Sequence, residues 1–131
     1  MNSETELVNL AKERFTNLTA AEEKLFMAVA KGETANFSAS SEKENDPSCA
    51  YKWSSERVLD GGRLSWLITD ATASKLVTHR GVSVMGAIVH GALNLEWANI
   101  TFPLVMQKCA FSENIISNRA NLNSFYLLTS P

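Results

Sequence analysis

Two cysteines and two histidines are the side chains of this 131-residue chain best suited to nucleophilic catalysis or metal binding. A reactive thiol needs an exposed, electropositive setting, whereas Cys109 falls at the small-residue position of an apolar pattern and is predicted to be inert packing. Cys49 lies in a polar stretch with no second ligand at zinc-binding spacing. The apolar pattern of the C-terminal part of the chain predicts a repeating coil. His79 and His90 are half a coil apart and are therefore expected to face opposite sides of it. The sequence predicts no metal site.

The carboxyl groups and glycines of the C-terminal third do not form a recognisable catalytic or nucleotide-binding site either. General acid–base catalysis needs carboxyl groups that meet at one place, and the C-terminal third offers only Glu96 and Glu113, which are out of stacked register. The glycines at 81, 86 and 91 do not form the G-x-G-x-x-G fingerprint of dinucleotide-binding proteins. We therefore predict a protein that is not an enzyme, with no catalytic residue and no cofactor.

Composition is that of an ordinary globular domain, with 45% hydrophobic and 20% charged residues. The apolar runs are too short to span a bilayer, the first residues lack the apolar core of a secretion signal, and two cysteines make no disulfide framework. A cytoplasmic location is therefore predicted.

Residues 81–131 carry two basic and two acidic residues, so the chain shows no basic face for nucleic acid.

Residues 1–80 are predicted to be mainly helical. Thr19 and Glu22 form a capping box, apolar residues follow at helical spacing, and Gly32 is the expected C-cap. A similar pattern, a capping box followed by apolar residues at helical spacing, predicts another helix before this one. A polar segment near 33–50 predicts a mobile loop, and a helical pattern returns over 54–69, where a glycine pair is expected to break it.

From Gly81 onward the apolar period changes from helical to extended. Apolar residues recur as pairs two positions apart, and residues two apart lie on the same side of a strand. Small-first pairs alternate with large-first pairs, and each kind recurs at one fixed interval along the chain. The pairs, in which Ser117 is the one residue that is not apolar, are Ala87/Val89, Leu93/Leu95, Ala98/Ile100, Leu104/Met106, Cys109/Phe111, Ile115/Ser117, Ala120/Leu122 and Tyr126/Leu128. Two such units predict a 22-residue coil in which Leu93 stacks on Ile115 and Leu104 stacks on Tyr126.

Two other architectures have a related period. An apolar period of about 11 residues is also typical of a right-handed coiled coil, but Gly86, Gly91 and Pro103 would interrupt its helix. The stretch LNLEWANI resembles one leucine-rich repeat, yet that consensus recurs about once in 20–29 residues. A solenoid of short strands fits the pairs better than either alternative.

Three tripeptides, Ala98-Asn99-Ile100, Cys109-Ala110-Phe111 and Ala120-Asn121-Leu122, resemble the A-(D/N)-L unit of pentapeptide-repeat proteins. The stretch RGVSVMGAIVHGALNLEWANITFPLVMQKCAF also resembles a group of uncharacterised bacterial proteins with a helical N-terminal segment, some of which carry an oxidoreductase label. The resemblance implies a right-handed quadrilateral β-helix. The predicted fold class is α+β, with a helical cap in residues 1–80 and a pentapeptide-like β-helix of just over two coils in residues 81–131.

A short solenoid of this kind leaves its last layer open, where Leu122 and Leu128 lie. This predicts either that two copies meet end to end or that the chain is one piece of a longer protein. Val105 and Leu127 belong to an apolar outer face, which either the N-terminal helices or a partner protein would cover. The candidate interface residues are Val105, Leu122, Leu127 and Leu128. The predicted function is a non-enzymatic scaffold or interaction module that binds a second copy or another protein through the open C-terminal coil. The alternatives are a DNA mimic that inhibits a topoisomerase, which requires a strongly acidic surface, and an enzyme, which follows only from the oxidoreductase label.

Overall fold

The computed structural model describes residues 3–38 and 53–128. Four α-helices lie within these residues: α1 (Ser3–Arg14), α2 (Ala20–Lys31), α3 (Gly61–Thr69) and α4 (Ala71–Ser74), with a short 3-10 turn at Ser55–Arg57. The strands are β1 (Ala35–Asn36), β2 (Val58–Asp60), β3 (Val82–Met85), β4 (Ile88–His90), β5 (Leu93–Asn94), β6 (Asn99–Gln107), β7 (Ala110–Phe111), β8 (Ile115–Ile116) and β9 (Asn121–Leu128).

Helix α2 begins and ends as its sequence predicts. The Thr19 hydroxyl accepts a hydrogen bond from the Glu22 amide at 3.1 Å, and the Glu22 carboxylate accepts one from the Thr19 amide at 3.0 Å. These two bonds satisfy amides that the helix itself cannot reach. Gly32 ends the helix in the left-handed conformation, with φ of 73°, which glycine adopts without a Cβ clash. The capping-box prediction is confirmed.

The helix predicted over 54–69 is shorter in the structure. Only α3 and the short 3-10 turn before it are helical, because the intervening strand β2 pairs in parallel with β4. Asp60 caps α3, since its side chain accepts a hydrogen bond from the Arg63 amide at 2.9 Å. The expected break therefore lies just before the glycine pair.

Parallel pairing joins the strands at the offset that the repeat predicts. Val82 pairs with Leu104, Ile88 with Ala110 and Leu93 with Ile115, and in each case the partner lies one predicted coil further along the chain. The N-terminal region adds β1 beside β3 and β2 beside β4. Part of the segment predicted as a mobile loop is thus strand β1, and residues 39–52 lie outside the described residues.

The predicted fold class is wrong in its main feature, because the strands within residues 3–38 and 53–128 form no β-helix or other solenoid. They divide into three separate sheets, with strand orders β1-β3-β6-β9, β2-β4-β7 and β5-β8, and none of these sheets is closed. Apolar pairs at spacing two determine which residues are extended and which side faces inward. They do not determine how neighbouring sheets join, so the same pattern is compatible with a small α+β fold of open sheets. The prediction of a pentapeptide-like coil over residues 81–131 is therefore wrong.

A register shift corrects the predicted stacking of Leu104 on Tyr126. The pairing of β6 with β9 slips between Ile100 and Pro103, so that Leu104 pairs with Phe125. Proline donates no backbone hydrogen bond and inside sheets occurs at edges and bulges. A shift of one residue exchanges the two faces of a strand, and Phe125 packs against the core in the structure.

The hydrophobic core lies between the helices and the three sheets. It includes Leu25, Phe26, Leu64 and Leu67 from the helices, and Val82, Val84, Ala87, Val89, Leu93, Leu95, Ile100, Leu104, Met106 and Cys109 from the sheets. Trp66 packs edge-on against Phe15 and Phe26, with ring centroids 5.3 Å and 5.9 Å apart. Within the described ranges, no helix is long and apolar enough to cross a bilayer.

Candidate functional site

Cys109 occupies the buried position that the small-residue pattern predicts. It is 2% exposed, and its Sγ lies 3.4 Å from the Gln107 carbonyl oxygen and 3.7 Å from that of Val84. Burial raises the pKa of the thiol above its ordinary value, and this effect outweighs the lowering by backbone hydrogen bonds and by the nearby Arg57 charge. A raised pKa reduces the thiolate fraction at any given pH, so this site opposes nucleophilic chemistry.

Alkylation rates test this assignment. In a Cys49→Ser variant, Cys109 is the only thiol left. We expect iodoacetamide to alkylate the folded variant at pH 8 at least about tenfold more slowly than the urea-unfolded chain, because burial restricts access to the thiol and lowers its thiolate fraction. Mass spectrometry measures both rates. Equal rates in the two states would contradict the buried, neutral thiol.

Two buried charged residues are satisfied by structural contacts. Glu22 Oε1 accepts hydrogen bonds from the Thr19 amide and from the Arg63 guanidinium, and Oε2 lies 3.4 Å from the Asp60 amide. Arg57 donates from Nε to the Gly86 carbonyl oxygen at 2.8 Å, and its guanidinium lies 3.6 Å from the centroid of the Trp53 ring. Both groups hold elements together, α2 to α3 in the first case and the 3-10 turn to the sheets in the second.

A metal centre does not form in the part of the chain that the structure describes, since no three His, Cys, Asp or Glu residues come together there. Cys49 lies outside that part. Among the side chains that the structure describes, Trp97 is the large apolar one most exposed to solvent, at 68%. Arg119 lies over its ring at 5.0 Å from the centroid, so the two form a cation–π pair on the surface.

The last strands of all three sheets are edge strands, and together β7, β8 and β9 are called here the C-terminal edge. Strand β9 is the longest of them, with eight residues, and no other described strand pairs with its outer side. The side chains of Phe111, Ile115, Ala120 and Phe125 are only half-buried, although they pack against the core. The C-terminal edge therefore combines open backbone groups with partly exposed apolar side chains.

The structure brings three of the four predicted interface residues onto this edge. Leu122, Leu127 and Leu128 lie in β9, where they pair with Ile100, Met106 and Gln107 respectively; their side chains lie outside the described residues. Val105 lies instead on β6, an inner strand, and is half-buried. There it lines a cleft of about 390 Å³ beside Gly32, Thr34 and Arg80.

Sequence reasoning missed Phe125 as an edge residue because it assumed an unbroken register along β9. Pro103 is the signal for the slip, since a proline within a strand marks a bulge or an edge. Phe111 and Ile115 belong to the predicted pairs, but their partial exposure depends on β7 and β8 being the last strands of their sheets.

A further cleft of about 440 Å³ lies between the segment that follows α4 and the beginning of β6. Polar side chains converge there from two separate parts of the sequence. Its lining residues are Ile68, Ser74, Lys75, Val77, Thr78, His79, Asn99, Thr101 and Phe102. Neither the spacing of the two histidines nor any short motif predicts that these residues line one cleft, because the two segments meet only in the folded chain.

The geometry thus offers two places for recognition, the C-terminal edge and the cleft beside Lys75. The resemblance to pentapeptide-repeat proteins stays a prediction, and the open sheets do not support the coil that it implies. Comparison of the chain with protein-family models, curated proteins and solved structures finds no match.

Proposed function

We propose that this protein is a non-enzymatic interaction module that associates with a second copy of itself through β9. The observation that carries this proposal is an eight-residue edge strand with one side open among the described residues. Such a strand presents a row of unpaired amides and carbonyls, which can accept another strand. We expect the association to take place in the cytoplasm.

The composition of β9 supports pairing. Soluble proteins usually protect an exposed edge with a lysine, a proline or a bulge that twists the strand away. Strand β9 has the sequence NLNSFYLL, which contains no charged residue and no proline. Five of its eight residues are Leu, Phe or Tyr, types that are enriched in strands or in interface cores. Nothing in this sequence opposes the addition of a strand.

Charge also permits two copies to meet at this end. Residues 81–131 carry Lys108 and Arg119 against Glu96 and Glu113, so this region has no net charge that would repel its own copy. A neutral surface equally gives no support to mimicry of DNA, which depends on a strongly acidic surface.

A two-fold axis through the middle of β9 gives the simplest assembly. Each β9 would pair antiparallel with the β9 of the other copy, because a two-fold axis reverses the strand direction. The four-stranded sheet of each copy would then become half of a continuous eight-stranded sheet. The half-buried Phe125 and Ile115 lie in the edge strands β9 and β8, where a partner would remove more of their surface from water.

Light scattering with an edge variant tests the proposal. We expect the wild type to have the mass of a dimer, and Leu128→Lys to have the mass of a monomer, because an added charge on an edge strand opposes pairing. The matched control is Asn36→Lys, which adds the same charge to β1, the opposite edge of the same sheet, where Asn36 is exposed. This variant should remain a dimer.

Hydrogen exchange gives a second measurement of the same contact. Amides of residues 121–128 should exchange more slowly as the wild-type concentration rises, and this dependence should disappear in Leu128→Lys. A monomeric wild type without concentration dependence would rule out self-association. A dimer that Leu128→Lys leaves intact would place the interface elsewhere.

A further inference from the structure

We propose that the cleft between the α4–β3 segment and the beginning of β6 binds a small organic phosphate. Lys75 and His79 approach it from the segment after α4, and Asn99 and Thr101 approach it from β6. All four residues are exposed to solvent. The cleft volume of about 440 Å³ lies within the range of small-molecule sites, about 300–1,000 Å³. This inference is independent of the association through β9.

The side chains around the cleft are suited to an anion. Its lining contains the Lys75 ammonium, the His79 imidazole and the hydroxyls of Ser74, Thr78 and Thr101, but no carboxylate. The Thr78 hydroxyl accepts a hydrogen bond from the Arg80 amide at 3.2 Å, so its own proton remains to be donated. Ammonium, imidazole and hydroxyl groups are donors that phosphate oxygens accept.

Other clefts of similar size lack this character. Lys75 lies between two clefts, because it also lines the cleft between α1 and α4 together with Glu6 and Glu13. The cleft beside Arg57 contains Lys24 and Glu56, and the cleft beside Val105 contains Arg80 and Glu33. A carboxylate in the lining repels an anionic ligand. Among these described clefts, the one lined by Lys75 and His79 has cationic groups without a carboxylate, and it is therefore best suited to a negatively charged molecule.

The cations of this cleft are not committed to other contacts. Within residues 3–38 and 53–128, neither the Lys75 ammonium nor the His79 imidazole makes a hydrogen bond or an ion pair. A bound phosphate would therefore not have to displace an existing partner. By contrast, Lys12 is paired with Glu23 and Arg63 with Glu22, so those cations are already engaged.

The apolar residues of the lining, called here the apolar floor, favour an organic phosphate over the free ion. They are Ile68 and Phe102, which are buried, and Val77, which is half-buried. An apolar body lying against these side chains would lose contact with water, which favours binding. The arrangement of an apolar floor with a few converging polar groups is typical of small-molecule sites.

Calorimetric titration of the intact chain tests the site with three probes. These are phenyl phosphate, which has both the anion and an apolar body, inorganic phosphate, which has only the anion, and phenol, which has only the body. We expect phenyl phosphate to bind most tightly. Equal binding of inorganic phosphate would overturn the role of the apolar floor, and equal binding of phenol would overturn the role of the cationic rim.

Two charge-matched variants locate the binding. Lys75→Gln should weaken phenyl phosphate about tenfold, the usual effect of losing one charge-assisted hydrogen bond. The control Lys31→Gln removes the same charge from the exposed last turn of α2 and should change the affinity less than about twofold. NMR shifts of His79 and Thr101 on addition of phenyl phosphate would support the site. Equal affinities for both variants, or no saturable binding of phenyl phosphate, would overturn the proposal.

Discussion

Replacing Glu22 by alanine is expected to lower the free energy of unfolding by about 3–5 kcal/mol, the usual effect of removing one partner of a buried ion pair. Glu22 is 3% exposed, and its carboxylate accepts hydrogen bonds from the Thr19 amide and from Arg63. Its loss would leave the Arg63 guanidinium without its carboxylate partner and would remove half of the capping box of α2. Because the Arg63 side chain is 21% exposed, water can replace part of the lost interaction, so the lower end of the range is expected.

The neighbouring Glu23 is the matched control. It has the same residue type, lies in the same turn of α2 and also forms an ion pair, with Lys12 at 3.0 Å. The two side chains are 41% and 55% exposed, and exposed pairs contribute about 1 kcal/mol or less. Urea denaturation of Glu22→Ala and Glu23→Ala measures the difference. Similar losses in the two variants would show that the Glu22 contacts do not join α2 to α3 as the structure indicates.

Replacing Gly81 by alanine is expected to prevent stable folding, with a loss of about 4 kcal/mol or more, the size associated with severe local disruption. Gly81 has φ of 77°, and a Cβ at this position would lie 1.9 Å from the Pro103 carbonyl oxygen. The clashing atom belongs to the backbone, so no rotation of a side chain can relieve the contact. Separation of β3 from β6 would follow, because Val82 pairs with Leu104 immediately beyond this point.

Gly91→Ala separates the backbone strain from the clash. Gly91 also has a positive φ, of 89°, but no atom lies within 4 Å of a Cβ built there. This variant should lose only about 1–2 kcal/mol, the cost of the left-handed conformation for an L-residue. Thermal and urea unfolding of both variants provide the comparison. Equal stability of Gly81→Ala and Gly91→Ala would contradict the close approach of Gly81 to Pro103, and with it the register of β3 against β6.

The pattern of small and large residues predicted the strands and their pairing offset. Residues at spacing two necessarily lie on one side of an extended chain, so the burial of Ala87, Leu93 and Leu104 follows from their types and spacing. The turns repeat as well, because positive φ angles recur at the same interval as the apolar pairs, at Gly86, Trp97, Lys108 and Arg119. This period is consistent with Leu93 pairing with Ile115.

The candidate sites were less predictable than the strands. Leu122 and Leu128 were recognised as edge residues because apolar types remained in the last part of the repeat. Phe125 was not, since the slip at Pro103 changes its pairing. The cleft beside Lys75 was not predicted at all, because Lys75 and Asn99 come from different elements and no short motif connects them.

The caps of α2, the extended segments after Gly81 and the neutral charge of that region can all be derived from the amino-acid sequence. The division of the strands into three open sheets, the addition of β1 and β2 to two of them, and the position of β9 at an edge become visible only in the folded chain. This difference arises from the range of the forces involved. Capping and side-chain alternation depend on neighbouring residues, whereas sheet closure and register depend on contacts between distant segments, which one additional residue in β6 is enough to change.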